Sequence, residues 1–258
     1  MSFIQTVLLG ALAGLTIYLG LPLGRVKQLS EKTRSFLSMT SAGILIFLFF
    51  DIFGQLAEPV EAVLGQKDFA QFATLLVIFI LGFGVGLLGL VIFEKRFIRL
   101  KANVSQVLSP KRLALMIATG IGLHNFSEGL AIGQSAGRGE IALAAILIIG
   151  FGLHNATEGF GIVGPLMGKV QPTWGFLGLA GLIGGGPTFL GTILGYYFVS
   201  LAMSVLFLSL AAGALVYIIG EMFQMNWRPA FKLQAASGVL IGFLFAFLTD
   251  LVLVFAGV

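Results

Sequence analysis

Long apolar stretches separated by short polar ones run through the whole chain. A membrane-spanning helix needs about 20 mostly apolar residues, because each residue adds about 1.5 Å toward a hydrocarbon core of about 30 Å. Eight stretches are predicted as transmembrane helices: residues 3–20, 34–57, 70–93, 110–135, 141–167, 173–197, 200–224 and 233–256. The connections between them are short. The pattern therefore predicts an all-α integral membrane protein with a single transmembrane domain over residues 1–258.

Composition favours the same location. The 258 residues are 58% hydrophobic and 10% charged, with a mean hydropathy of +1.04. A soluble domain has about a quarter of its residues charged. The 36 glycines let membrane helices approach closely, and such small-residue faces also permit a homodimer. The chain has no cysteine, which excludes disulfides and thiolate metal sites.

The basic residues are distributed as topology signals. Thirteen of the fifteen Lys and Arg residues lie in connections on one predicted side of the membrane, and only Lys67 and Arg138 lie on the other. Because basic loops stay in the cytoplasm, this bias predicts that both termini face outside, most simply across the cell (inner) membrane. The basic residues form short clusters and no extended face, so the bilayer is the expected partner and nucleic acid is not.

A polar motif occurs twice in the middle of the chain. The stretch Gly122-Leu-His-Asn-Phe-Ser-Glu-Gly129 recurs thirty residues later as Gly152-Leu-His-Asn-Ala-Thr-Glu-Gly159. A weaker similarity links residues 42–51 in span two with residues 212–221 in span seven. Both pairs of spans run in opposite directions in the predicted topology. The sequence thus predicts an inverted repeat of spans 1–3 and 6–8 around a central pair, spans 4 and 5.

The two motifs contain both histidines of the chain, His124 and His154, each followed by Asn at the next position and Glu at the fourth. Positions i and i+4 share a helix face, so each helix presents an imidazole and a carboxylate about 6 Å apart along its axis. In antiparallel helices related by a two-fold axis, His124 would lie at the level of Glu158, and Glu128 at the level of His154.

These ligand types suit Zn²⁺, and also Fe²⁺, Mn²⁺ or Co²⁺. Two carboxylates facing each other inside a membrane repel, unless they are protonated or bridged by a cation. A purely structural Glu–His bond between helices is the alternative, and the repetition of the motif favours metal. The predicted site consists of His124, Asn125, Glu128, His154, Asn155 and Glu158. The metal is expected as a transported substrate, with no cofactor and no catalytic residue.

Other residues carry weaker signals. Asp51 is predicted toward the outer end of span two and Glu221 toward the inner end of span seven. They are candidates for the two vestibules of one path, or equally for interfacial residues that reach headgroup water. The stretch Gly184-Gly-Gly-Pro187 is predicted to break span six, either as a close-packed kink, which is favoured, or to expose carbonyls to a cavity.

At its two motifs the chain resembles the ZIP family of zinc- and iron-transporting membrane proteins, nearer the bacterial and archaeal members. The resemblance covers most of the chain, with eight spans, external termini and metal motifs on spans four and five. It implies a binuclear metal centre in the transport path and movement of metal toward the cytoplasm. Residues matching the first site are His124, Glu128, His154 and Glu158, whereas Asn125 and Asn155 match the second, which shares both glutamates.

The chain also departs from that family. Ser127 and Thr157 stand where many relatives have proline, and their hydroxyls can bond back to helix carbonyls. Gly186 precedes Pro187 where many relatives have Glu, which makes the second site weaker or absent.

The sequence therefore predicts a divalent metal transporter, with Zn²⁺ as the first choice and Fe²⁺, Mn²⁺, Cd²⁺ or Co²⁺ as further ones, and not an enzyme. Two alternatives stay open. A metal-dependent intramembrane hydrolase could use the same ligands, although the His-Glu-x-x-His motif is missing. A proton-coupled carrier of an organic solute could use the His/Glu pairs as a proton relay.

Overall fold

The structure, a computed structural model, describes residues 1–27, 29–93, 95, 109–198 and 200–255. Within these ranges the side chains of residues 93, 142, 143, 146, 154, 249 and 252–255 are not described. The described chain has no strand and is built from the helices α1 Phe3–Leu15, α2 Glu31–Gly65, α3 Phe69–Phe93, α4 Pro110–Gly137, α5 Ile141–Val163, α6 Trp174–Tyr197, α7 Leu201–Asn226 and α8 Lys232–Phe255. Short 3-10 segments cover Thr16–Leu19, Leu21–Arg25 and Pro229–Phe231. The predicted all-α class is confirmed.

Six segments of the described chain are long and apolar enough to cross a membrane: Phe3–Arg25, Glu31–Gly65, Phe69–Ile92, Trp174–Tyr197, Leu201–Asn226 and Pro229–Leu248. The protein is therefore a multi-pass membrane protein by length and composition. The helices that carry the polar motifs, α4 and α5, are not among the six, so a count of eight spans stays a prediction.

One predicted boundary was wrong. Helix α2 extends from Glu31 to Gly65, 35 residues, and includes Pro59, whereas the predicted span ended at residue 57. At about 1.5 Å per residue this helix is about 52 Å long, so its last turns extend beyond a hydrocarbon core and Glu58 and Glu61 are accessible. The first predicted span, residues 3–20, lies within the candidate span Phe3–Arg25, where helix α1 ends at Leu15 and the chain continues in two 3-10 segments.

Helix α4 lies at the centre of the bundle, and most of its side chains between Leu113 and Ala136 are buried. It packs on α1, α5, α6 and α7. Its contact with α6 requires glycine, because a Cβ atom at Gly191 would collide with the carbonyl oxygen of Phe126. A Cβ at Gly129 would likewise collide with the Thr188 carbonyl. The two helix backbones therefore touch, which is how membrane helices gain packing contacts without a hydrophobic driving force.

The same kind of backbone contact through glycine joins other neighbouring elements. Such contacts join α2 to α8, α3 to α7, α1 to α6, and α5 to the 3-10 segment after α1. The predicted break of span six was wrong, because α6 continues through Pro187 to Tyr197. Gly185 instead lets α6 touch the backbone of α1 at Gly14, so the glycines there serve close approach.

Hydrogen bonds bring three basic connections to one end of the bundle. Arg25 Nη1 donates to the Pro172 carbonyl at 2.9 Å, which joins the segment after α1 to the connection before α6. Lys169 Nζ donates to Asn226 Oδ1 at 3.1 Å, which joins that connection to the end of α7. We call this the basic end. The sequence also predicted that these three connections lie on the same side of the membrane, because their basic residues belong to the thirteen on one predicted side.

Candidate functional site

The first motif lies in the middle of α4, inside the bundle. His124 and Asn125 are 0% exposed, and Glu128 is 2% exposed. The helical spacing of four residues brings Nε2 of His124 to 3.4 Å from Oε1 of Glu128. The predicted sharing of one helix face is confirmed for this pair.

The second motif lies on α5, which packs against α4. Asn155 and Glu158 are both 0% exposed. His154 precedes Asn155 on the same helix, and its side chain lies outside the described residues. The α5 half of the site is therefore known through its amide and its carboxylate.

Side-chain amides connect the two motifs. Asn125 Nδ2 donates to Oδ1 of Asn155 and, at 3.0 Å, to Oε2 of Glu158. In the opposite direction, Asn155 Nδ2 donates to Oε2 of Glu128 at 3.4 Å. Each asparagine thus contacts the glutamate of the other helix. This reciprocal pattern confirms the predicted antiparallel register, in which the start of each motif meets the end of the other.

Backbone carbonyls from two further helices complete the cluster. Asn125 Nδ2 also lies 3.0 Å from the Gly184 carbonyl on α6, and Asn155 Nδ2 lies 3.3 Å from the Ala13 carbonyl on α1. Sequence reasoning did not assign either residue to the site. The Gly-Gly-Gly-Pro stretch was a signal for Gly184, but nothing in the sequence marks Ala13.

The cluster has more hydrogen-bond acceptors than donors. Nδ2 of Asn125 carries two hydrogens but faces three oxygens, those of Asn155, Glu158 and Gly184. Its own Oδ1 is buried without a hydrogen-bond partner among the described residues. Two carboxylates add further acceptor capacity. A proton or a metal cation would correct this imbalance.

The lysine and arginine residues of the helices that form the cluster are absent or remote from the carboxylates. The sequences of α1, α5 and α6 contain no Lys or Arg, and those of α4 are confined to Lys111 and Arg112 in its first turn. From Lys111 to Glu128 the helix rises by about 25 Å. Lysine and arginine of these helices are therefore too far away to balance a negative charge on either glutamate.

Three predictions about single residues have different outcomes. Asp51 and Glu221 lie toward opposite ends of the bundle, as predicted. Helix α2 begins at the basic end, and Asp51 comes twenty residues after that start. Helix α7 ends at the basic end, and Glu221 comes five residues before that end. Both are half-buried, and Gln55 Nε2 donates to Asp51 at 2.8 Å. The Ser127 hydroxyl does not make the bond to a helix carbonyl that its residue type allows, since its Oγ is buried without a hydrogen-bond partner among the described residues.

The described side chains contain no group of three or more His, Cys, Asp or Glu residues close enough to hold a metal ion, and His154 is not among those side chains. Comparison with known proteins adds no assignment: no family model and no curated protein matches the chain. The function of the buried cluster therefore rests on its own residues and geometry.

Proposed function

We propose that the protein transports divalent metal ions, Zn²⁺ first and Fe²⁺, Mn²⁺, Cd²⁺ or Co²⁺ as further substrates, through the cluster between α4 and α5. The direction would be toward the cytoplasm, with both termini outside the cell (inner) membrane. One observation carries the proposal. Two buried carboxylates, Glu128 and Glu158, are linked across α4 and α5 by neutral amides, in helices whose Lys and Arg residues are absent or remote.

The energetics support a cation beside the two glutamates. An ionised carboxylate at the middle of a bilayer costs about 3 kcal/mol or more on insertion scales. Hydrogen bonds from Asn125 and Asn155 reduce this cost but leave the negative charge in place. A divalent ion between the two glutamates would neutralise both, and it would also use the surplus acceptor oxygens.

The geometry of the α4 pair supports a transition metal. Two ligands about 2.1 Å from a tetrahedral ion lie about 3.4 Å apart. The separation of His124 Nε2 from Glu128 Oε1 is 3.4 Å, so one ion could contact both atoms without a change in their spacing. His154 and Glu158 would supply the equivalent pair from α5, as the resemblance to the ZIP family implies.

A second ion position would be weaker. Near Asn125 and Asn155 the additional oxygen comes from the Gly184 carbonyl, and Gly186 stands where many relatives of the family have Glu. A neutral carbonyl attracts a divalent ion less than a carboxylate does. We therefore place the main binding position at the histidines.

The packing pattern supports the inverted repeat. Helix α2 packs on α8 as α7 packs on α3, and α4 packs on α6 and α7 as α5 packs on α1 and α2. The hydrogen bonds to backbone carbonyls are related in the same way, since Asn125 on α4 donates to a carbonyl of α6 and Asn155 on α5 donates to a carbonyl of α1. Inverted repeats that meet at a central site are typical of transporters.

Uptake of radioactive Zn²⁺ into proteoliposomes tests the proposal. We expect saturable uptake by the wild type, loss of that uptake in the variant with His124→Ala and His154→Ala, and retention in Glu140→Gln, an exposed acidic residue at the start of α5. Unlabelled Fe²⁺, Mn²⁺, Cd²⁺, Co²⁺ and Mg²⁺ would rank the substrates by competition. Binding without uptake would favour the hydrolase, and the absence of binding would favour the proton-coupled carrier.

A further inference from the structure

A small cleft at the basic end is lined by three cationic side chains from three parts of the chain. Arg34 comes from the first turns of α2, Lys169 from the connection between α5 and α6, and Arg228 from the connection between α7 and α8. Glu31 is the acidic residue that also lines it. Side chains distant in sequence thus place an excess of positive charge around one opening, and no residue of the buried cluster lines it.

The position of Lys169 is fixed by the fold. Gly168 has a φ of 67°, a left-handed conformation that glycine adopts without strain, and it turns the chain directly before Lys169. Lys169 Nζ donates to Oδ1 of Asn226 at 3.1 Å. Asn226 is 4% exposed, and its Nδ2 donates to the Met222 carbonyl at 2.8 Å. The ammonium group is therefore held at the cleft by a buried amide that is itself anchored to α7.

The charges around the cleft are not balanced by the residues that line it. Arg34 Nη2 forms an ion pair with Glu31 Oε1 at 3.1 Å. Burial, and then the positive charges of Arg34 and Arg228, lower the pKa of Lys169 from 10.5 to about 8. The cations therefore destabilise one another, and an anion bound among them would relieve that repulsion.

We propose that this cleft binds a phosphate group, carried either by an anionic phospholipid headgroup or by a soluble phosphate compound. Guanidinium groups bind phosphate oxygens through two parallel hydrogen bonds, and an ammonium group adds a compact charge and up to three further donors. The location agrees with a headgroup, because the cleft lies at the basic end, where α2 begins and α7 ends. Basic pockets between helices on the cytoplasmic side are a recognised form of anionic lipid site.

The test uses the purified full-length protein in detergent. Native mass spectrometry would measure retention of phosphatidylglycerol against phosphatidylcholine, and calorimetric titration would measure binding of inorganic phosphate. We expect Arg34→Gln and Lys169→Gln each to weaken binding about tenfold or more, the effect of one lost hydrogen bond to a charged group. Lys32→Gln is the matched control, since it removes the same charge from an exposed residue on the first turn of α2 that does not line the cleft.

The outcomes distinguish a phospholipid headgroup from a soluble phosphate compound, and they include results that would overturn the proposal. Selective retention of phosphatidylglycerol that depends on Arg34 and Lys169 would identify a headgroup site, and phosphate binding with the same dependence would identify a soluble ligand. Lys169→Arg should keep the binding, which separates loss of charge from misfolding, and a thermal melt of each variant gives a second check. If Lys32→Gln weakens binding as much as Lys169→Gln, or if no probe binds above background, the proposal is overturned.

Discussion

Asn125 on α4 and Asn155 on α5 are hydrogen-bonded to each other through their side-chain amides, and each also donates to the glutamate of the other helix. The two sequence motifs therefore form one buried unit whose members depend on one another. Changing either amide should alter the balance of donors and acceptors around both carboxylates.

Replacing Asn125 by Asp tests that balance with almost no change in shape. The new carboxylate would face the oxygens of Asn155, Glu158 and Gly184, so we expect the metal-free protein to lose about 1–3 kcal/mol of stability or more. Added Zn²⁺ should recover much of the loss. Thermal unfolding in detergent, with chelator and then with Zn²⁺, measures both effects. An Asn125→Asp protein as stable as wild type in chelator would contradict the acceptor surplus.

Replacing Glu128 by Gln should separate stability from function. The substitution removes a buried charge and keeps a polar side chain of the same size, so the metal-free protein should be as stable as wild type or more stable. Zn²⁺ uptake should fall to the level of empty vesicles. Zn²⁺ at a hundred times its dissociation constant stabilises a one-site protein by about 2.7 kcal/mol, and this gain should be absent from the variant. Normal uptake by Glu128→Gln would refute the proposed site.

Replacing Gly191 by Ala should disrupt the contact between α4 and α6. The added methyl group would collide with the Phe126 carbonyl oxygen, and overpacking of this kind costs about 1–3 kcal/mol. Gly178→Ala is the control on the same helix, because nothing lies within 4 Å of a Cβ at that position. Melting temperatures of the two variants would be compared in the same detergent. Equal melting temperatures would show that α6 can shift to accept the methyl group.

The proposed phosphate site should weaken as the pH rises from 7 to 9. Lys169 has a pKa of about 8, so its ammonium charge is present below that pH and is lost above it. The other charged groups that line the cleft are Arg34, Arg228 and Glu31. Retention of phosphatidylglycerol, whose phosphodiester does not titrate there, measures the effect. Lys169→Arg should bind at both pH values, and a wild type with unchanged binding would exclude Lys169 as a contact.

The general architecture was readable from the sequence because membrane solvation leaves few choices. Backbone groups in hydrocarbon must be satisfied within a helix, so apolar runs predict helices and basic connections predict which helix ends lie together. The boundaries were less certain, because they depend on local chemistry that hydropathy does not register. Pro59 is accommodated inside α2, and the Thr16 hydroxyl donates to the Ala13 carbonyl at 2.7 Å where α1 ends.

The site was predictable in its side chains but not in its backbone. Repetition of His-Asn-x-x-Glu, with its i and i+4 spacing, was enough to predict the facing register of α4 and α5. The carbonyls of Ala13 and Gly184 belong to residues without functional groups, so only the packing of α1 and α6 reveals them. The cleft around Lys169 was hidden for a related reason, since its three cations come from parts of the chain that are far apart in sequence.

The glycine contacts also have a consequence for motion. The helices fall into two sets, each with its adjoining segments: α1, α4, α5 and α6 form one, and α2, α3, α7 and α8 form the other. Among the described residues, wherever a Cβ atom added to a glycine would collide with the backbone of a neighbouring element, that element belongs to the same set as the glycine. Across the boundary between the sets, glycines meet side chains, as Gly120 meets Ile218. Side chains can change rotamer, whereas touching backbones cannot slide past each other.

We therefore expect each set to behave as a rigid body and the boundary to be the sliding surface. In a chain without native cysteine, an engineered cross-link between α4 and α6 should leave uptake intact, while one between α4 and α7 should stop it. Among the described side chains, the hydrogen bonds of the buried cluster join α1, α4, α5 and α6. A metal ion bound in the cluster would move together with these helices. That movement would change the side of the membrane from which the ion is accessible.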